Sequence, residues 1–528
     1  MSNDSTPLVL IAGGGPTGMA AALELSRFGI PVRIVDEMEG PASTSRAIGI
    51  QARTLEELEL RGLADEFVHA GHRTGGGDIY GDGKLLIHAD FTKIPSRYNF
   101  VLFLAQTQTE RILREGLEAQ GAAVEWGVKM TAFGQNPSGV TVTLEHSDGQ
   151  LEEVTAAYVI DAEGAHSIIR NTLGLQFKGK TLEETFVLGD VQIDGNLSNE
   201  NFHIFSSEDG LLALFPMGGN HFRVVADKPS GISEQTEKPT LEDLQAFYDQ
   251  RSHVSAKLLD LTWSSFFHIN SRMVASLRAG RIFLAGDAAH IHSPAGAQGM
   301  NTGIQDAINL GWKLAFVLQG KAPESLLDTY GEDRLPVMRS ILSRTEGLTN
   351  ALGGPSVLRS FFLHLTPWIA NAEFVQEAAT SHISQIALNY RSSLLSEDHF
   401  GDGSLVAGDR IPDLTVLIAG TGEQQRLFTL LNASRFTLLL ANFADTAAVR
   451  ARFFGASSPW QELVDVVEIA PPEGDARETF TASFGAKPSI TLVRPDAYIG
   501  FRGGESSAEA LAKYGNRWFS PAAQRQAA

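Results

Sequence analysis

Short apolar runs closed by glycine or acid alternate with stretches of helical spacing through the first half of the chain. Leu8-Val9-Leu10-Ile11-Ala12 breaks into Gly13-Gly14-Gly15-Pro16-Thr17-Gly18, a helix-like stretch follows, and Val32-Arg33-Ile34-Val35 ends at Asp36. That order is strand, glycine turn, helix, strand, acid, as in a parallel βαβ unit. Beyond the polar loop from Glu37 to Thr44, leucines at 55, 58 and 60 predict a helix from Thr54 to near Gly62. A second helix is predicted over Gln106 to Gln120, with strands near Val140 to Leu144 and Tyr158 to Ile160.

Around Gly75-Gly76-Gly77 the pattern changes to alternating segments, Ile79-Tyr80 and Leu85-Leu86-Ile87. From about Phe186 to His268 strand patterns recur at Val187 to Val191, Asn201 to Phe205, Leu211 to Phe215 and Phe222 to Val225, with a helix only at Leu241 to Tyr248. This predicts a sheet-rich domain inserted into the first. The first resumes with Arg281-Ile282-Phe283-Leu284-Ala285-Gly286-Asp287, a strand ending in Gly-Asp, and with a helix over Thr302 to Gln319 that is apolar on most sides and opens on the capping-box pattern Thr302-x-x-Gln305. Ser396 to Pro412, rich in Gly, Asp and Ser, reads as a linker to a small α/β domain with strands at Phe436 to Leu440, Val464 to Ile469 and Ile490 to Val493. The expected domains are 1–74, 101–180 and 268–395 for the discontinuous first unit, 75–100 and 181–267 for the inserted sheet, and 396–528 for the last.

At 528 residues the chain exceeds one ordinary hydrophobic core, in keeping with several domains. Its 62 acidic against 42 basic residues leave a net charge of −20, which argues against a nucleic acid or an anionic membrane as partner. It has no cysteine, so disulfides, thiolate catalysis and Cys-ligated metals are excluded, and a reducing compartment fits. The polar start and the absence of a long apolar run predict a cytoplasmic protein. His290-x-His292 lacks a third ligand nearby, so no metal is expected.

The glycine turn fits G-x-G-x-x-G at Gly13, Gly15 and Gly18, spanning Pro16 and Thr17, and brings a pyrophosphate to a helix N-terminus. Asp36, followed by Glu37, stands where a ribose hydroxyl would be bound. This pattern specifies an ADP-containing dinucleotide without separating NAD from FAD. Asp287 argues for the flavin, because a carboxylate at a buried strand end can accept hydrogen bonds from a ribityl chain that NAD lacks. The segment from Pro294 to Thr302 leads into the N-terminus of the buried helix, which would stabilise a reduced flavin's negative charge by about 0.3 to 2 kcal/mol.

Taken in order, Gly13-x-Gly15-x-x-Gly18 with Asp36, Ser45-Arg46-Ala47, Gln106-x-x-Thr109-Glu110, Asp161-x-Glu163-Gly164-x-x-Ser167-x-x-Arg170 and Gly286-Asp287-Ala288-Ala289-His290 with Gly299-Met300-Asn301 resemble the class A, single-component FAD-dependent aromatic hydroxylases. Gly408 to Asp413 and Val493 to Tyr498 resemble the branch with a thioredoxin-like C-terminal domain, which includes phenol, pentachlorophenol and aromatic polyketide hydroxylases. The resemblance implies an α/β protein: a Rossmann-type FAD-binding domain, an inserted β-sheet substrate domain and a small thioredoxin-like α/β C-terminal domain. It implies FAD contacts from Gly13, Gly15, Pro16, Thr17, Gly18, Asp36, Glu37, Arg46, Gln106, Asp161, Gly164, Asp287, Pro294, Gly299, Met300 and Asn301. Arg46, Pro294, His268 and Arg223 are the catalytic candidates. The reaction implied is reduction by NAD(P)H, then capture of O2 as a C4a-hydroperoxide and hydroxylation of an aromatic ring; the single nucleotide fingerprint agrees with a family that docks NAD(P)H transiently.

Two departures bear on the substrate. The family's Gly-Gly-Gln-Gly reads Gly296-Ala297-Gln298-Gly299, adding a methyl beside the ring. Ile48 and Phe267 stand where phenol hydroxylases carry an acid and a tyrosine, which favours a bulkier, already acidic polyhydroxylated ring. Polar candidates for the substrate cavity are Tyr80, Tyr98, His203, His221, Arg223 and His268, while Phe215, Pro216 and Met217 read as wall or core. The C-terminal domain lacks Cys-x-x-Cys, so packing or dimer contact is its expected role, and oligomeric state stays open with a homodimer as the default. A flavin dehydrogenase or halogenase on the same scaffold, or a non-catalytic nucleotide-binding protein, are the alternatives; the halogenase signature Trp-x-Trp-x-Ile-Pro is missing.

Overall fold

Parallel strands with apolar runs can be buried on both faces, and the centre of the molecule is built this way. The computed structural model describes residues 8–45, 47–207, 209–227, 238–292, 297–353, 380–444 and 461–519. Its six-stranded sheet has the order Arg278–Ala279, Ile282–Leu284, Tyr158–Asp161, Val9–Ala12, Val32–Asp36 and Val124–Trp126, parallel except for the first strand. Helix Pro16–Arg27 covers it, and the long helix Gly299–Leu318 lies against that helix. The approach is very close: a Cβ on Gly303 would stand 2.3 Å from Thr17 Oγ1, and one on Gly286 2.5 Å from the same atom.

The long helix begins three residues before the capping box predicts. Thr302 N–H already donates to the Gln298 carbonyl at 2.9 Å and its hydroxyl donates there at 2.8 Å, while Gln305 Nε2 donates to Thr54 and Gln385. Thr302 therefore sits within the first turn rather than capping it.

A mixed eight-stranded sheet holds the inserted segments. Two of its strands, Lys178–Gly195 and Ala256–Met273, are 18 residues long and pair antiparallel along their length. One face carries helix Leu241–Arg251, whose Thr240 and Asp243 form a reciprocal capping box, over a core that includes Val187, Phe205, Leu212, Val224 and Phe247. The opposite face meets the central core through Phe202 and Phe215, which pack on Phe103 at ring separations of 6.2 and 5.5 Å.

The C-terminal part is a seven-stranded sheet. Phe436–Ala441 runs parallel to Val464–Ala470 and antiparallel to Ser489–Val493, which pairs antiparallel with Ile499–Gly504; helices Ala476–Phe484 and Ala508–Phe519 complete a thioredoxin-like topology. The segment from Ser396 to Pro412 is not a free linker. Glu397–His399 forms an edge strand on Phe501–Gly503, and Leu405, Ala407 and Ile411 are buried in this core, so its Gly, Asp and Ser residues make turns within the unit. No described helix is long and apolar enough to cross a membrane.

Candidate functional site

Three neighbouring parallel strands end side by side, Ala12 beside Asp161 and Asp161 beside Leu284. Each releases the chain into a turn, and the three turns stand together at the strands' carboxyl ends, the place where open α/β sheets hold a ligand in a cleft.

From Ala12 the chain enters Gly13, at φ +110°, where a Cβ would lie 2.2 Å from the Ala162 carbonyl oxygen. A Cβ on Gly18 would lie 1.9 Å from the Gly13 carbonyl oxygen, whereas one on Gly15 would meet nothing within 4 Å. The turn is thus packed shut on its inner side and open on its outer side. Gly15 caps helix Pro16–Arg27 without a side-chain hydrogen bond of its own. An open glycine cradle at an uncapped helix N-terminus fits a dinucleotide pyrophosphate. Asp36 borders the turn, accepting from Gly14 N–H at 2.7 Å and Met38 N–H at 2.8 Å, while the exposed Glu37 pairs with Lys129 at 2.7 Å. Thr17 is packed beneath Gly286 and Gly303.

From the second strand, Asp161 is fully buried and accepts from the Ser167 hydroxyl at 2.6 Å and Glu163 N–H at 3.2 Å. Burial pushes its carboxyl up to about 7, against the opposing pull of the Ser167 hydrogen bond. Gly164 turns at φ +83° over open space. Arg170 then ties this loop to the third one, donating to the Ala165 carbonyl at 2.7 Å and the Ala288 carbonyl at 3.0 Å. From the third strand, Asp287 is exposed to the cleft between buried Gly286 and Ala288.

Gln106 secures the border of the cleft: its N–H donates to Ser45 Oγ at 2.8 Å and its Oε1 accepts from Ala47 N–H at 3.2 Å. Gly299, Met300 and Asn301 form the first turn of the long helix. The Asn301 side chain is committed to backbone, accepting from Gln51 N–H at 2.9 Å and donating to the carbonyls of Gly49 at 2.8 Å and Ala297 at 2.7 Å. Ala297 holds φ +52°, a conformation glycine favours, and its methyl carbon occupies the space where a Gly49 Cβ would come within 2.5 Å of it. Arg46 and Pro294 lie outside the described residues.

The polar candidates on the eight-stranded sheet divide between its faces. Arg223 is fully buried on the face of Phe215, donating to both Asp190 oxygens at 2.6 and 2.7 Å beneath the Trp263 ring at 5.1 Å. His268 pairs across from Thr185, two residues from Phe266 and Val187 that pack toward helix Leu241–Arg251. It is exposed on that face and does not join Arg223. Tyr80 and His203 stack with Phe205 on the same helix-bearing side. His221 is exposed at a strand end, and Tyr98 is buried in the central core against Phe100, with burial raising its hydroxyl's pKa.

Asp190, Trp263, Asp306 and Arg334 went unmarked in the sequence. An acid inside the apolar run Val187 to Val191, or inside the apolar helix at position 306, was the available signal, because a charge in such a place requires a buried partner.

Comparison with known proteins adds an independent line. A model described as "FAD binding domain" matches residues 6–345, and one described as "Aromatic-ring hydroxylase, C-terminal" matches 404–522. Pentachlorophenol 4-monooxygenase of Sphingobium chlorophenolicum is 34% identical over 94% of this chain and 94% of its own length. 6-Methylpretetramide 4-monooxygenase of Streptomyces rimosus is 35% identical over 96% of this chain and 92% of its own. Among solved structures, the OxyS anhydrotetracycline hydroxylase of Streptomyces rimosus superposes with a TM-score of 0.79 at 29% identity, covering 98% of this chain and 99% of that one.

Proposed function

The chain belongs to the FAD-dependent aromatic-ring hydroxylases, a family of flavoprotein monooxygenases, and from that premise we propose that it takes electrons from NAD(P)H and inserts one oxygen atom of O2 into a phenolic or polyketide-like ring. What carries this reading is the side-by-side ending of Val9–Ala12, Tyr158–Asp161 and Ile282–Leu284, which gathers the glycine turn, the Asp161 loop and Asp287 into one cleft.

Within it, amides of the Gly13 to Gly18 turn would hold the pyrophosphate, Asp36 the adenosine ribose and Asp287 the ribityl chain. Gln106 would border the same cofactor, and the turn from Gly299 to Asn301 would present amide dipoles to its ring. Bound FAD supplies the electron store and the activation of dioxygen. The chain's own part is to orient and to exclude water. Phe103, Phe202 and Phe215 pack on one another at the central core and would offer an apolar wall to an aromatic ring, and the Arg223–Asp190 pair, on the same sheet face as Phe215, is neutral as a unit. Asp161 holds a buried proton near neutral pH. Ile48 lies buried in the central core, so a ring that ionises by itself suits this site better than simple phenol. The named activities of the relatives, from a chlorinated phenol to an anhydrotetracycline, support that range.

The test is to load the protein with FAD and screen phenols and polycyclic polyphenols for stimulated NADH or NADPH oxidation and a product heavier by one oxygen atom. Equal NAD(P)H consumption with and without every aromatic, yielding peroxide alone, would overturn the proposal.

A further inference from the structure

One carboxylate deep in the long helix takes no part in the chemistry above. Asp306 is fully buried, and both of its oxygens are committed. Oδ2 accepts from Gly286 N–H at 3.1 Å and from His290 Nε2 at 2.7 Å, and Oδ1 accepts from Arg334 Nε at 2.6 Å. Burial would raise its pKa, yet Arg334 and His290 hold it below the usual carboxylate range. Arg334, also fully buried, donates onward from Nη1 to the Tyr390 hydroxyl at 2.8 Å and from Nη2 to the Thr302 carbonyl at 3.1 Å. One acid and one guanidinium therefore join the residue preceding Asp287 to the first turn of the helix. These are the two stretches assigned above to the ribityl chain and to the ring.

The same pair is held from the far side by the C-terminal module. The Tyr390 ring lies 4.0 Å from that of Tyr498, and the Arg494 guanidinium stands 5.0 Å over Tyr390. Arg494 binds Asp333, the neighbour of Arg334 in sequence, at 2.7 Å and Asp496 at 2.6 Å. Asn309 and Lys313, farther along the long helix, meet the same acids: Asn309 Nδ2 donates to Asp333 and Asp496 at 3.0 Å each, and Lys313 Nζ to Asp333 at 2.7 Å. Stability alone would be served by the Lys313–Asp333–Arg494 half of this seam. The Asp306 half differs in that it ends on a backbone amide and a backbone carbonyl of the cleft.

We propose that Asp306 is a positioning residue for the flavin, fixing the Gly286-Asp287 turn against the first turn of the long helix. The C-terminal module serves to keep Arg334 aimed at it through Tyr390, Tyr498 and Arg494. The module's work is then geometric, which accounts for a thioredoxin-like fold retained without cysteines. The proposal rests on the assignment of that turn and helix end to FAD.

Three variants of the full chain test it, each titrated with FAD after deflavination, followed by flavin fluorescence and paired with the thermal midpoint of the apoprotein. Asp306→Asn keeps the shape but presents a donor to one of its donor partners, and is expected to weaken FAD binding by about tenfold or more. Tyr390→Phe removes the acceptor of one Arg334 N–H, and is expected to weaken FAD by about threefold, with a lower apoprotein midpoint from the buried donor left unpaired. Lys313→Met disturbs the seam away from the cleft, and is expected to lower the midpoint while leaving FAD affinity within about twofold. The absorption spectrum of the bound flavin should change in Asp306→Asn and not in Lys313→Met.

Unchanged FAD affinity in Asp306→Asn, or equal weakening in Lys313→Met, would overturn the proposal and leave the seam as a stability device. If Asp306→Asn does not fold, Tyr390→Phe decides by the same measure. A parent protein that binds FAD tightly but hydroxylates nothing would sink the proposed reaction and leave this test standing.

Discussion

The parallel sheet and the eight-stranded sheet put their strands to opposite uses. In the parallel sheet the three adjoining strands Val9–Ala12, Tyr158–Asp161 and Ile282–Leu284 are wholly buried, and the surface proposed to work is the row of their ends, where backbone amides and single carboxylates sit in turns. In the eight-stranded sheet the working surface is a broad face, and the side chain at every second position decides what it meets. Phe202 faces the cleft side while its neighbour His203 stacks with Phe205 toward helix Leu241–Arg251. Function held by chain conformation leaves a spacing in the sequence, whereas function held by a face depends on strand pairing.

The largest effect should come from closing the glycine turn. Gly18→Ala places a methyl against the Gly13 carbonyl with no flexible neighbour to yield, and should cut the flavin content of purified protein to about a tenth or less, read from the visible absorbance per chain. Full flavin content would mean that the strand-end turn does not depend on this close approach.

Next comes the pH dependence set by Asp161. Its folded pKa of about 7 lies above the ordinary 3.8, so between those values the folded chain keeps a proton that the unfolded chain has lost. Stability should fall as pH rises through that window, by about 1.4 kcal/mol per pH unit, and level off above it. Asp161→Asn has no such proton to lose, so the stability of this variant relative to the parent should climb from pH 4 to pH 7. Urea unfolding of the apoprotein across that range checks it, and a difference independent of pH would remove Asp161 as the cause.

The two faces of the eight-stranded sheet can be set directly against each other. Phe205→Ala, on the helix-bearing side, should cost about 3 to 5 kcal/mol of stability with little change in KM. Phe215→Ala, on the cleft side, should raise KM for an accepted aromatic by about tenfold with flavin content unchanged. Reversed outcomes would exchange the roles of the faces. The smallest effect is expected from His268→Ala, whose kcat/KM should stay within about twofold of the parent, since His268 shares the face of Phe266 and points away from Arg223.

The same contrast explains what could be read in advance. The turn at Gly13 and the acids Asp161 and Asp287 were legible because parallel strands in register bring their ends together, so a motif at a strand end is already a position in space. Tyr80, His203 and His268 were not, because polar and aromatic residues alternate on both faces of a half-buried sheet and nothing local tells the faces apart. The capping-box letters at Thr302 misled, since the helix had already closed its first hydrogen bond there. The Gly, Asp and Ser content after Ser396 suggested a free linker, yet its turns fold back onto the edge of the last sheet. The buried ions were the least legible: Arg494 and Asp333 are 161 residues apart, and a lone charge in an amphipathic helix reads as surface until its partner is known.

The left-handed alanine at 297, with its methyl in the place a side chain at 49 would need, has a consequence for how this cleft can change over generations. Neither position can vary alone with equal freedom. A larger residue at 49 needs 297 to become glycine, a change that relieves the left-handed backbone against the larger conformational entropy glycine loses on folding. Substitutions at the two positions are therefore coupled: the change at 297 has to come before the change at 49.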